Sequence, residues 1–317
     1  MTDATEDGQQ RPEVYRPDVV HEAMGLPPRR DAVLLAISLL GVSTSGPLMA
    51  AAAAPALAIA FWRNAMALVV IGPVALVRFR PEFARLNQRE WRACVLAGVL
   101  LAAHFATWVP SLKLTSVASA TALVATQPIW AALLARALGR RIKRVAWLGI
   151  AVGVLGAALV TGVDFSISVR AVTGDALAAA GGLLAAGYIT AGAAVRRSVS
   201  TTTYTAIAYS VCAVVLLVVC LFSQQRLGGY DGSTWVKLVA LTVAAQLIGH
   251  SLMNRVLSST SATVVSLAIL FEVPGAVLVA LIFLNQKPPL AAIPGLLLLL
   301  AGMAIVIRSG TRAVPVE

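Results

Sequence analysis

Ten long apolar runs separated by short polar seams occupy almost all of the chain after residue 31. They lie at about 32–52, 56–77, 93–112, 117–137, 145–163, 175–194, 204–222, 236–254, 261–283 and 290–307, each close to the ~20 residues with which a helix crosses a bilayer. All are too long and too continuously apolar for barrel strands, and a chain inside lipid must satisfy its backbone polar groups within its own elements. The pattern predicts an all-α integral membrane protein with ten transmembrane helices. "MAAAAAPALA" makes the first reversal very tight. Residues 1–30 differ: polar, with several acids and prolines and no apolar period, they predict a disordered cytoplasmic tail. A cleaved leader is not expected, because the run from Ala32 follows that tail and is longer than a leader's apolar region.

Laid over itself with a shift of 146 residues, the chain places His104 on His250, Pro128 on Pro274, Gly149 on Gly295 and Gly156 on Gly302. With one residue of slip, "LKLTSVASAT" also matches "LSSTSATVVS". Runs three to five therefore have counterparts in runs eight to ten. Five spans separate equivalent positions, an odd number, so the copies enter the membrane in opposite senses. The expected organisation is two inverted five-helix repeats, 31–163 and 164–308, followed by a cytoplasmic tail at 309–317. Inverted repeats are a transporter design in which substrate binds near the midplane between the halves.

Composition agrees with this class, and charge adds the orientation. Of 317 residues, 59% are apolar and 12% charged, against about a quarter charged in soluble domains. Basic residues gather on alternate seams: in the N-terminal tail, in "RFRPEFARLNQREWR", from Arg136 to Arg144, at Arg196 and Arg197, at Arg255, and at Arg308 and Arg312. The other side keeps Lys113, Arg170, Arg226, Lys237 and Lys287. This asymmetry predicts a multi-pass protein of the cell membrane with both termini cytoplasmic. It also accounts for the net charge of +11 without nucleic acid, which would need a soluble basic surface. Cys94, Cys212 and Cys220 fall within the runs with no CxxC spacing, and read as buried small side chains rather than metal ligands or disulfide partners. No metal or cofactor is expected.

The segment "HFATWVPSLKLTSVASATALVATQPIWAALLARALGRRIKRVAWLGIAVGVLGAALV", its echo "NRVLSSTSATVVSLAILFEVPGAVLVALIFLNQKPPLAAIPGLLLLLAGMAIVI", and "AFWRNAMA" in the second run resemble the twice-repeated module of the EamA-like transporters, of the drug/metabolite transporter superfamily. The resemblance covers residues 32–307. It implies ten helices in two inverted halves, a central cavity, and export or exchange of small metabolites. Two departures stand out. The family often has an acid directly before the second-repeat proline, whereas Val273 stands between Glu272 and Pro274. The family also commonly ends its fourth and ninth helices with Gly-Glu, where this chain has Gly139-Arg140 and Asn285-Gln286.

A few polar groups lie inside the runs. Glu272 is about 11 residues from either end of its run, ~16 Å deep at 1.5 Å per residue, too deep for so short a side chain to reach water. It reads either as a protonated acid bonded to the Leu270 carbonyl that Pro274 leaves free, or as a cavity acid that binds substrate or exchanges protons. The second reading is preferred. Arg63, beside Trp62, reads as an interfacial residue reaching outwards, as a partner for an anionic substrate group, or as a partner of Glu272. His104 and His250, equivalent in inverted copies, would face one cavity and either relay protons or simply hydrogen-bond. Gln127, Gln246 and Asn254 read as interhelical hydrogen-bonding groups that could also touch substrate. Trp108 and Tyr188 are packing residues able to line a cavity, and Pro128 and Pro274 are kinks near mid-membrane. "GIAVG" at 149–153 with Gly156, and "GGLLAAG" at 181–187, read as close-packing faces.

Enzyme signatures are missing: no GxxxxGK[ST] loop, no HExxH, no second intramembrane carboxylate to pair with Glu272, and no seam long enough for a catalytic domain. The expected activity is secondary transport by alternating access: export of small metabolites such as amino acids, with protons as the candidate coupling ion. The alternative is a membrane-embedded enzyme or lipid-handling protein with its site inside the bundle. The expected partners are a small-molecule substrate and the lipid bilayer, with the chain acting as a monomer or a homodimer.

Overall fold

The computed structural model describes residues 29–139, 142–195, 198–256 and 268–309. The expected tail up to residue 28, the Arg140–Arg141 and Arg196–Arg197 pairs, the "SSTSATVVS" segment and residues 310–317 lie outside them. In chain order the helices are α1 (Arg29–Ser43), α2 (Ser45–Ala51), α3 (Ala56–Arg78), α4 (Arg80–Arg85), α5 (Gln88–Ser111), α6 (Val117–Val124), α7 (Gln127–Ala137), α8 (Arg144–Ile167), α9 (Val169–Val195), α10 (Thr201–Phe222), α11 (Gly232–Leu241), a π-helix (Thr242–Gly249), α12 (His250–Val256), α13 (Glu272–Leu284) and α14 (Ile293–Ser309). Among the described residues there is no strand, and nine spans are long and apolar enough to cross a membrane. The ninth of the ten predicted spans is represented by α13, a shorter apolar helix. Large apolar side chains such as Val69, Leu76, Val77, Phe222 and Phe283 are exposed on the outside of the bundle, where lipid rather than water is their solvent.

Four spans are not continuous α-helices. α1 and α2 part at Thr44, whose hydroxyl donates to the Gly41 carbonyl at 2.7 Å, and Pro47 withholds the N–H that the Ser43 carbonyl would take. α6 and α7 part at Ala125–Thr126, just before Pro128, and α13 starts after a turn at Leu270–Phe271, just before Pro274. Each proline thus follows a full break in its helix, at equivalent places in the two repeats. In the eighth span the turns widen into the π-helix, a geometry found disproportionately at functional sites.

The join between the fifth and sixth spans is shorter than expected. Residues 164–174 read as a seam by hydropathy, yet α8 runs on to Ile167 and α9 begins at Val169. Only Ser168 lies between, its hydroxyl accepting from the Ala171 N–H at 3.1 Å. The stretch contains no proline, and low hydropathy marks polar surroundings without ending a helix.

Glycines set how closely spans approach. A Cβ on Gly156 would lie 2.8 Å from the Gly295 carbonyl oxygen, and one on Gly302 would lie 2.7 Å from that of Gly149. α8 and α14 therefore cross antiparallel, and each contact pairs one glycine with the repeat counterpart of the other, as a local two-fold axis requires. Gly181 and Gly182 of α9 back onto Trp108 and onto the break at Val124–Thr126, so both glycine-rich stretches pack as expected.

The two ends of the bundle are tied differently. At the Arg-poor end Lys113 Nζ donates to the carbonyls of Ala50 and Ala52, at 2.9 and 2.7 Å, at the end of α2. Burial, and then neighbouring Lys237, push its ammonium below the usual lysine value. At the Arg-rich end Glu82 accepts from the Ser200 N–H at 2.6 Å and from the hydroxyls of Ser200 and Thr203, capping α10. Burial pulls the Glu82 carboxyl up, but these bonds outweigh it and hold the group below its usual range.

Candidate functional site

Arg63 projects from α3 into the middle of the bundle and is only 1% exposed. Its Nε and Nη2 both donate to Oε1 of Gln246, at 2.9 and 2.6 Å. Nη1 points to the Ser45 hydroxyl at 3.4 Å and the Met49 sulfur at 3.5 Å, and the Phe105 ring lies 4.3 Å from the guanidinium carbon. Gln246 is steadied in turn by Asn64, which accepts from its Nε2 at 3.5 Å and donates to the Ala60 carbonyl at 2.8 Å. The irregular segments supply the partners: Gln246 lies in the π-helix, and Ser45 opens α2 just past the break in the first span.

All these partners are neutral. Among the described residues no carboxylate comes within ion-pair distance of Arg63. Glu272, together with Tyr209 and Cys212 of α10, lies in the same neighbourhood at longer range, as do His104 and His250. The repeat organises this neighbourhood, because Arg63 and Tyr209, His104 and His250, and Thr126 and Glu272 are each 146 residues apart.

The expected residues fall in different places. Glu272, half-buried, is the first residue of α13, at the positive end of a half-helix dipole. Ser43, at the break in the first span, abuts Gly275 one turn on. The Leu270 carbonyl, expected to be left free by Pro274, accepts from the Val273 N–H at 3.3 Å. His104 is buried, its Nδ1 2.9 Å from the Gly181 carbonyl oxygen and its ring stacked on Trp108. Since that carbonyl can only accept, Nδ1 carries the hydrogen. His250 is exposed, so the two histidines differ in their surroundings: the His104 ring is fixed between Gly181 and Trp108, and His250 sits at the end of the π-helix. Trp108 is buried, its indole N–H without a hydrogen-bond partner. Tyr188 is half-buried and stacks on Tyr204, with ring centroids 6.2 Å apart. Gln127, half-buried, opens α7, and Pro128 follows it. Pro274 is exposed. Asn254 lies in α12, its side chain outside the described residues. The interfacial reading of Arg63 does not hold, because the guanidinium turns inward to Gln246.

Some of the site escapes sequence reasoning. Tyr209 was within reach, since adding 146 to 63 lands on it. Ser45, Met49 and Phe105 carry no signal, being ordinary residues of apolar runs. The expectation of no second intramembrane carboxylate also needs correction: Asp164, in the seam read from hydropathy, and Asp175, the first residue of the sixth run, are each 2% exposed, because the helices run on past the hydropathy minimum.

The profile of the EamA-like transporter family matches residues 31–162 and again residues 172–308. No curated protein matches the chain. In structure, 19 solved chains match it. One of them, described only as "Crystal structure of protein", is 18% identical, covers 87% of this chain and 96% of its own, and has a TM-score of 0.61, a likeness of fold.

Proposed function

The chain belongs to the EamA-like transporter family, whose members are multi-pass membrane transporters of the drug/metabolite kind, and from this premise we propose that it exports small zwitterionic metabolites, amino acids or close relatives. The observation that supports this reading is the buried Arg63 charge held only by neutral groups. A buried charge is ordinarily paired, and a substrate carboxylate would supply the missing counter-charge. Gln246 aims the guanidinium fork without neutralising it, which suits bidentate recognition of a carboxylate. Glu272 answers the ammonium of the same substrate, and its protonation and release couple export to proton entry. Discontinuous helices around such a site are a recurrent transporter device. The swapped glycine pairs between α8 and α14 support inverted repeats that rock about a shared axis.

Counterflow of labelled amino acids in proteoliposomes tests this. Arg63→Gln is expected to abolish counterflow, whereas Arg63→Lys retains the charge, loses the fork, and slows it by roughly tenfold or more, the worth of one charge-assisted hydrogen bond. Glu272→Gln is expected to lose the drive from an imposed pH gradient. Wild-type counterflow in Arg63→Gln would remove the central premise.

A further inference from the structure

Away from Arg63, at the Arg-poor end of the bundle, the tight join at Ser168 sets the end of α8 beside the start of α9, where Asp164 and Asp175 are both buried and Thr115 backs onto Gly174, next to Asp175. The Thr115 hydroxyl donates to Oδ2 of Asp164 at 3.2 Å. The Asp175 carboxyl lies within hydrogen-bonding reach of Asp164 and close to the hydroxyls of Thr115 and Thr161, yet neither of its oxygens receives a well-formed hydrogen bond. Cations of this end are turned elsewhere: Lys113 to the carbonyls of Ala50 and Ala52, and Arg170 to the Lys113 carbonyl at 3.2 Å. Lys287 is exposed. Arg144 of α8, Arg89, Glu90 and Arg92 of α5, Arg136 of α7 and Arg308 of α14 all stand at the far ends of their helices, and His104 of α5 is bound to Gly181.

Two buried carboxylates side by side repel one another when both are charged, and a proton held between them removes one charge and supplies the hydrogen that the Asp175 oxygens lack. We propose that Asp164 and Asp175 share one proton and form a protonation site of their own, separate from Glu272, at the end of the bundle opposite the arginine-rich seams. Loss of that proton places two like charges between the ends of α8 and α9. The repulsion favours separation of these ends, so the site ties proton occupancy to the shape of the Arg-poor face. The inference does not depend on what Arg63 or Glu272 binds.

Infrared difference spectroscopy tests it on the full-length Glu272→Gln protein in lipid, which removes the central acid from the spectrum. The expected result is a protonated-carboxyl C=O band at neutral pH that shifts in D2O and is lost in Asp175→Asn, where the amide N–H donates to Asp164 in the proton's place. Asp164→Asn serves as a second variant of the same shape and is expected to lose the band as well. A band unchanged in both variants, or absent from the parent, would overturn the proposal. So would a pair that responds to added sodium ions while remaining indifferent to pH, since it would then hold a metal cation.

Discussion

Gln246 holds the Arg63 guanidinium with two hydrogen bonds to a single oxygen, and its neutrality matters as much as its reach. Gln246→Ala would leave a buried cation short of partners. Its unfolding free energy in detergent is expected to fall by about 1.5–3 kcal/mol, the range for hydrogen bonds to charged groups, with transport lost. Gln246→Glu keeps the acceptor and adds a counter-charge, so stability should recover while substrate counterflow falls. Measuring thermal unfolding beside counterflow separates the two effects, and a Gln246→Glu protein that transports normally would show that substrate does not read the charge. At this scale the sequence was informative about residue types that are costly in lipid, Arg63, Glu272 and the two histidines, because such groups are rare there. It was silent about Ser45, Met49 and Phe105, whose roles exist only through their distance to Arg63.

The spans owe their contacts to small residues and their irregularities to prolines and caps. Gly302→Ala would place a Cβ 2.4 Å from the Gly153 backbone nitrogen, forcing α8 and α14 apart, and should cost about 1–3 kcal/mol as overpacking. Gly162 of α8 meets nothing within 4 Å. Gly162→Ala is therefore the control, expected to be neutral or to stabilise by about 0.5–1 kcal/mol through helix propensity. Thermal unfolding of both proteins checks the contrast, and equal loss in both would remove the crossing as the cause. Glu82 ties α4 to the start of α10, and its carboxyl sits below its ordinary value. A group depressed in this way stabilises the fold above its ordinary value, and the contribution fades as pH falls through the lowered one. Glu82→Gln should lower the unfolding midpoint at neutral pH, with the gap closing in acid. A gap constant with pH would assign the effect to shape instead of charge.

For the molecule as a whole, the arginine-rich seams predict which face meets the cytoplasm. Cys94, Cys212 and Cys220 are all buried, so introduced cysteines report against a quiet background. A cysteine at exposed Lys287 is expected to react with an impermeant reagent added outside intact cells, and one at exposed Arg85 is not; the reverse pattern would invert the topology. Lys113 is a poor position for this test, because its ammonium is tied to the carbonyls of Ala50 and Ala52.

Ten helical spans, two repeats and the family follow from the linear chain, because lipid forces a spanning segment to satisfy its own backbone and to be apolar over its length. Those demands are local, and a shift of 146 residues suffices to see the repeat. What lies between spans is decided by tertiary structure. The inward turn of Arg63, the different surroundings of the two histidines, the place of Glu272 at a half-helix start and the burial of Asp164 and Asp175 all depend on where a helix is broken or continued and on which neighbour meets it. Hydropathy measures the average surroundings of a residue, whereas each of these features is set by a distance of a few ångströms between residues remote in sequence.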